Sequence, residues 1–163
     1  MTEFVQMSEA DLKGLKDFAA PIWYECYDGI VAAEHTEMLI EKYFEYENIK
    51  KFINEGTIYL NIVQYNARAG FAAFYLTDTY LYLDKLYLLK EYRGRHLSSE
   101  TFRYLERKYG LPIRLNVNRN NERAIRAYKG NGFCVIKKEE IPQKGGFVNC
   151  DYVMERSGGN SLG

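Results

Sequence analysis

The sequence predicts a mixed α/β fold of the α+β kind, with a mostly antiparallel central sheet of about seven strands flanked by helices. Three observations predict it. Apolar residues recur at helical spacing through the first third of the chain and change to strand-like runs after Asn54-Glu55-Gly56. Three Tyr-, Phe- and Leu-rich runs then follow one another with short turns between them, as in an antiparallel meander. A helix, a strand, a second helix and two last strands complete an order that is neither a TIM barrel nor a Rossmann fold. The chain of 163 residues is long enough to bury a core without disulfides or metal. With no repeat and no linker, residues 1–156 read as a single domain and 157–163 as a flexible C-terminal tail.

In chain order, Glu3–Met7 alternates weakly and predicts a first strand. Ser8 stands at an N-cap position with Asp11 three residues on, a capping-box-like start. Leu12, Leu15, Phe18 and Ala19 continue at helical spacing until Pro21, which is expected to end or kink the helix. Ile22–Tyr27 is aromatic-rich, and Asp28-Gly29 marks a turn. A second helix is expected from His35 to Phe52, with Met38, Leu39, Tyr43, Tyr46 and Ile49 on one stripe. The meander strands are Thr57–Tyr65, Gly70–Thr77 and Tyr80–Leu89. The next helix carries Leu97, Thr101, Tyr104 and Leu105 inward and stops at Gly110. Pro112–Asn118 is a strand. Asn120 or Asn121 caps a helix through Lys129. Phe133–Lys138 and Phe147–Glu155 close the fold over Gly145-Gly146.

Several function classes are disfavoured at this level. Twenty-two basic and twenty-two acidic residues give zero net charge, against the basic surplus that nucleic-acid binding wants. No apolar run approaches the ~20 residues of a membrane span, and the N-terminus lacks the pattern of a signal peptide. Cys26, Cys134 and Cys150 are odd in number and far apart, which argues against both a disulfide framework and a zinc site. A cytoplasmic protein with no metal, no nucleic acid and no membrane partner is expected, as a monomer or homodimer. The neutral total hides a split. Residues 1–56 hold twelve acidic and five basic residues, a net of minus seven, and the remainder is plus seven. Either two solvated faces differ by chance, or a cationic substrate meets the first part and an anionic cofactor the second.

The most informative stretch is Leu83-Asp84-Lys85-Leu86-Tyr87-Leu88, running on to Glu91-Tyr92-Arg93-Gly94-Arg95-His96-Leu97-Ser98. An apolar strand enters a basic, glycine-containing turn that opens a helix. Unpartnered N–H groups of a first helical turn and of such a turn make a nest for phosphate oxygens. Arg-Gly is also a common surface turn. Downstream, Asn121, Ala124 and Tyr128 share one helix face, with Gly132-Phe133 beyond it. A small residue between an amide and a phenol leaves room for a thin ligand. Alternatively Asn121 is only a cap and Tyr128 only a core residue.

Together these segments resemble the GCN5-related N-acetyltransferase family, over about residues 80–134. The family's Gln/Arg-x-x-Gly-x-Gly/Ala loop has Arg93 in its first place here, but His96 and Ser98 where Gly and Gly/Ala stand. There is some likeness to polyamine acetyltransferases in the N-terminal helical plan. The resemblance implies a sheet splayed at the acyl-CoA site and acetyl transfer from acetyl-CoA to a primary amine, small and cationic or peptidic, by direct attack in a ternary complex. A non-catalytic acyl-CoA-binding module with a degenerate loop is the alternative.

The resemblance further implies residue roles. Leu86, Tyr87 and Leu88 would lie along pantetheine. The N–H groups of Arg93, Gly94, Arg95, His96, Leu97 and Ser98 would hold the diphosphate. Asn121 and Ala124 would flank the cofactor, and Tyr128 would be the general acid. Asp84 is the candidate base, acting through water, or else it is a surface carboxylate paired with Lys85 and a water chain serves instead. Trp23, Tyr27 and Asp28 would line the amine entrance, unless the aromatics pack in the core. His96 matters most, because a position that demands φ > 0 favours glycine.

Overall fold

The computed structural model describes residues 1–157. The expected flexible tail therefore lies outside the described residues, apart from Ser157. Strands β1 (Thr2–Gln6), β2 (Ile58–Gln64), β3 (Ala67–Leu76), β4 (Leu81–Leu88), β5 (Ile113–Asn118), β6 (Cys134–Pro142) and β7 (Val148–Arg156) form a seven-stranded sheet in the order β1-β2-β3-β4-β5-β7-β6. The helices are α1 (Glu9–Lys13), α2 (Leu15–Tyr27), α3 (Ala33–Phe44), α4 (Tyr46–Asn54), α5 (Leu97–Tyr109) and α6 (Glu122–Gly130). The α+β class, the mostly antiparallel sheet and its strand count are as the sequence predicts. The described residues form two compact units: Met1–Tyr75 with Lys85–Ser98, and Leu76–Asp84 with those from Ser99 onward.

In the first unit, β1 pairs antiparallel with β2, and β2 with β3. The β2–β3 hairpin turns on Tyr65 and Asn66, both at positive φ (52° and 66°), the conformation of a two-residue type I′ turn. Ser8 and Asp11 form the expected capping box. Two of the expected helices differ in their boundaries. The first helix breaks at Gly14, and α2 runs through Pro21. Proline removes one helical hydrogen bond, but Pro21 and Asp17, whose carbonyl loses its donor, are both exposed, which leaves the orphan on the solvent side of the helix. Buried Leu15, Ala19, Ile22 and Trp23 on the inner face hold the helix together across it. The expected 35–52 helix is two helices, α3 and α4. Glu45 between them is extended (φ −64°, ψ 133°), so the chain redirects after fully buried Phe44 and sends Ile49 into the same core. In that core Trp23 stands edge-on to Phe44 (5.0 Å), and Phe44 edge-on to Phe71 (5.9 Å).

In the second unit, β4 and β5 pair in parallel through Leu81↔Ile113 and Tyr82↔Arg114, and β5–β7 and β6–β7 are antiparallel. Strand β6 runs to Pro142, four residues beyond expectation. It keeps pairing with β7 past a bulge at Val135–Lys137. Phe102, Leu105, Ile113, Leu115, Phe133 and Met154 are buried. Helix α5 is tied by Glu106, which receives two bonds from the Arg156 guanidinium (2.7 and 2.9 Å). Gly110, at φ 68°, ends α5 as expected.

Candidate active site

The loop between β4 and α5 leaves backbone donors open. A 3₁₀ turn at Lys90–Tyr92 leads into Arg93 (φ −74°), Gly94 (φ 77°), Arg95 and His96 (φ 64°), and α5 begins at Leu97. Arg95 is not among the positive-φ residues, so backbone handedness alternates along the turn. Alternation of this kind turns successive N–H groups to one side and makes a concave nest. The N–H groups of Gly94, Arg95 and His96 have no hydrogen-bond partner among the described residues. A diphosphate therefore fits: open donors, a helix N-terminus directly behind them and no side chain within 4 Å of where a Gly94 Cβ would sit.

The basic side chains behave differently from one another. Arg95 is exposed, stacks on Tyr92 (5.1 Å) and touches Gln64 (3.4 Å). Arg93 faces inward. Its Nη1 and Nη2 donate to both oxygens of Glu25 (2.9 and 2.8 Å), and its Nε and Nη2 also reach the Leu88 carbonyl (3.3 and 3.2 Å). The Glu25 carboxylate raises the Arg93 pKa above its ordinary value. The guanidinium thus holds protein groups, and Arg93 contributes its backbone to the loop.

Among the described residues, His96 is one of three non-glycine residues with positive φ. An L-residue there costs roughly 1–2 kcal/mol against a right-handed conformation, whereas glycine costs less than that in added unfolded-state entropy. His96→Gly is expected to raise stability by about 0.5 kcal/mol in denaturant unfolding. It should also tighten coenzyme A binding or leave it unchanged by calorimetry. A marked loss of affinity would show that the imidazole itself contacts the ligand.

Along β4, exposed Asp84 alternates with buried Lys85, and half-buried Leu86 and Leu88 alternate with Tyr87. The Lys85 ammonium lies over Tyr43 (4.4 Å), Phe44 (5.8 Å) and Phe52 (5.9 Å). The Tyr87 hydroxyl meets that of Tyr27 at 2.8 Å. Trp23 packs against both of these rings, 5.3 Å from each, and is buried, the core position that the sequence left open for it. Its indole N–H has no partner among the described residues. Tyr27 is half-buried, and exposed Asp28 follows the end of α2.

In the second unit, Asn121 caps α6 by accepting from the Ala124 N–H (3.2 Å), so its side chain is a cap, one of the two roles the sequence left open. Tyr128 is half-buried. Its ring meets Phe133 edge-on at 5.5 Å and Phe102 at 6.2 Å.

Three features escaped sequence reasoning. Gly70 of β3 lies so close to the end of β4 that a Cβ there would stand 2.2 Å from the Tyr87 carbonyl oxygen and 2.9 Å from Leu88 Cα. A glycine inside a strand pattern is the signal that could have found it. Glu25 gave no signal as the partner of Arg93, 68 residues away. On the face of β4 that carries Tyr82, the Tyr82 hydroxyl donates to Asn116 (2.5 Å), and the Asn116 amide donates to Glu139 (2.9 Å) and Asp151 (3.1 Å). Burial holds the Asp151 carboxyl above its ordinary range, while the bonds from Asn116 and then Lys137 lower that of Glu139.

The sequence profile of the Acetyltransferase (GNAT) family matches residues 18–133. The chain belongs to this family. As a GNAT-family member it is an N-acetyltransferase, and acetyl-CoA is the donor that the family uses. It is 30% identical to the spermidine N(1)-acetyltransferase of Thermoplasma acidophilum, over 94% of this chain and 96% of that one. The crystal structure of PaiA N-acetyltransferase from the same organism, in complex with coenzyme A, superimposes with a TM-score of 0.73 at 25% identity, covering 97% of this chain and 99% of that chain. A GCN5-related N-acetyltransferase structure from Rhodopseudomonas palustris shares the fold, with a TM-score of 0.78 at 15% identity over 96% of each chain. Among the described residues of this acetyltransferase, no group of three or more His, Cys, Asp or Glu could hold a metal ion. No described helix is long and apolar enough to cross a membrane.

Proposed function

We propose that the protein acetylates a primary amine of a small cationic molecule, a polyamine first among them, by direct attack in a ternary complex. The observation that carries this reading is the likeness to a spermidine N(1)-acetyltransferase over nearly the whole of both chains. When bound, acetyl-CoA supplies the acetyl group as a reactive thioester. The backbone of Leu86 and Leu88 would pair with pantetheine. The open N–H groups of Gly94, Arg95 and His96, with the first turn of α5 at Leu97 and Ser98, would hold the diphosphate. Ala124 of α6 would be a further cofactor-binding residue. Tyr128 keeps a phenolic proton ready for the leaving sulfur. A water chain ending at exposed Asp84 takes the proton that the ammonium must lose. Tyr27 and Asp28, at the end of α2, stand at the amine entrance. Glu139 and Asp151, oriented by Asn116, add the negative charge that a polycation seeks.

The test is release of free thiol from acetyl-CoA across a panel of polyamines, single amino acids and peptides. Polyamines should give the highest kcat/KM. A peptide amine turned over faster would move the acceptor class. Asp151→Asn extends the test. Burial raises the Asp151 pKa in the fold, so its charged form costs stability at neutral pH, and that cost is relieved as pH falls through the raised pKa. The variant should therefore melt at the same or a higher temperature at pH 7, while KM for a polyamine rises about tenfold, the loss of one charge-assisted contact. In the parent enzyme, KM should rise likewise as pH drops and Asp151 takes up its proton. An unchanged KM would remove this carboxylate from amine binding.

A further inference from the structure

We infer that Glu25 is a positioning residue for the cofactor loop, acting through Arg93; this rests on the assignment of that loop to the diphosphate. The guanidinium is committed on three sides. Both carboxylate oxygens of Glu25 accept from it in a bidentate pair, the Leu88 carbonyl accepts twice, and the Cys26 Sγ lies 3.7 Å from Nη2. One planar group thereby ties the last turn of α2 to the last residue of β4 and to the first residue of the nest. Arginine suits this because its fork is rigid, whereas a lysine would offer a point charge with no fixed plane. Arg93 Cα is the point from which Gly94, Arg95 and His96 depart, and two of those three hold positive φ. A turn with that many uncommon dihedrals keeps its shape only when its surroundings over-determine it. The Glu25–Arg93 pair is one such constraint. It is partly shielded, with the arginine side chain 22% exposed and the glutamate 41%.

The same pair gives the loop a mechanical link to the end of α2, where Tyr27 and Asp28 follow within three residues. A change in the loop on filling is transmitted through a bidentate bond rather than through solvent. Glu25 needs no contact with the cofactor to act in this way.

The experiment compares Glu25→Ala and Glu25→Gln with the parent protein. Calorimetry is run with coenzyme A and with a pantetheine thioester that lacks the diphosphate, and amide exchange is followed at residues 94–96. Glu25→Ala should weaken coenzyme A binding about tenfold, as expected for loss of charge-assisted bonds that set the loop, and leave the truncated ligand unaffected. Exchange at Gly94–His96, open in the ligand-free protein, should be slowed less by coenzyme A in the variant than in the parent. Glu25→Gln, which keeps an acceptor for one guanidinium N–H, should fall between. A Glu25→Ala protein that melts lower but binds coenzyme A normally, with unchanged exchange, would reduce the pair to a surface ion pair and overturn the inference while leaving the loop assignment intact. Equal weakening of both ligands would overturn it as well. A parent protein that fails to bind coenzyme A would overturn the loop assignment and this inference together.

Discussion

Replacing Tyr128 by phenylalanine is expected to lower kcat by about 10²-fold, within the usual range for a general acid, with little change in coenzyme A affinity. The expectation follows from where the ring sits. Tyr128 packs edge-on against Phe133 and lies near Phe102, contacts that phenylalanine preserves. Removing only the hydroxyl should cost no more than about 1–1.5 kcal/mol of stability. Tyr128→Ala is a different matter, since losing a large aromatic ring from a packed site costs about 3–5 kcal/mol, discounted here because the residue is half-buried. Steady-state kinetics with the true amine, alongside denaturant unfolding of both variants, separates the two roles. A phenylalanine variant with full turnover would leave protonation of the sulfur to water.

The largest loss of stability from a one-carbon change is expected at Gly70. Gly70→Ala places a methyl 2.2 Å from the Tyr87 carbonyl oxygen, and that neighbour is backbone, which cannot rotate away. Strands β3 and β4 must separate locally, in a segment where the Leu89 N–H also bonds the Ala69 carbonyl (2.8 Å). Overpacking of this severity costs about 3 kcal/mol. The displaced residues are Tyr87 and Leu88, so coenzyme A affinity should fall in parallel. Gly130→Ala is the control, because nothing lies within 4 Å of its added methyl. Unfolding midpoints for the two variants decide the matter: equal stability would mean that β4 has slack at this point.

The element order was legible because its signals are local. Ser8 and Asp11 announced α1, Asn54-Glu55-Gly56 marked the change of period, and the basic turn after Leu89 fell where the nest is. The misplaced boundaries had tertiary causes. Nothing near Glu45 breaks a helix by propensity; the break follows from burying Phe44 and Ile49 in one core. Pro21 is a strong local breaker that buried neighbours override. Of the candidate site, the loop's backbone was legible, because Gly94 and the helix start at Leu97 are local signals. Its side-chain contacts were not, because the groups that meet the Arg93 guanidinium and the Lys85 ammonium lie tens of residues away in sequence. Trp23 and Tyr27 looked alike in sequence, yet one is buried and the other joins Tyr87 through its hydroxyl.

Lys85 carries a hazard particular to a catalyst of this kind. A primary amine sits one residue from Leu86, on the strand assigned to an activated acyl donor, and any amine that reaches such a donor is a competitor for the acetyl group. The alternation of the strand turns the Lys85 side chain to the opposite face from Leu86 and Leu88, and the Tyr43, Phe44 and Phe52 rings close over its ammonium. Acetylation would need that nitrogen accessible, and Lys85 is buried, 4% exposed. Burial beneath the aromatic cover keeps this amine out of solvent, and so out of reach of a donor that approaches from solvent.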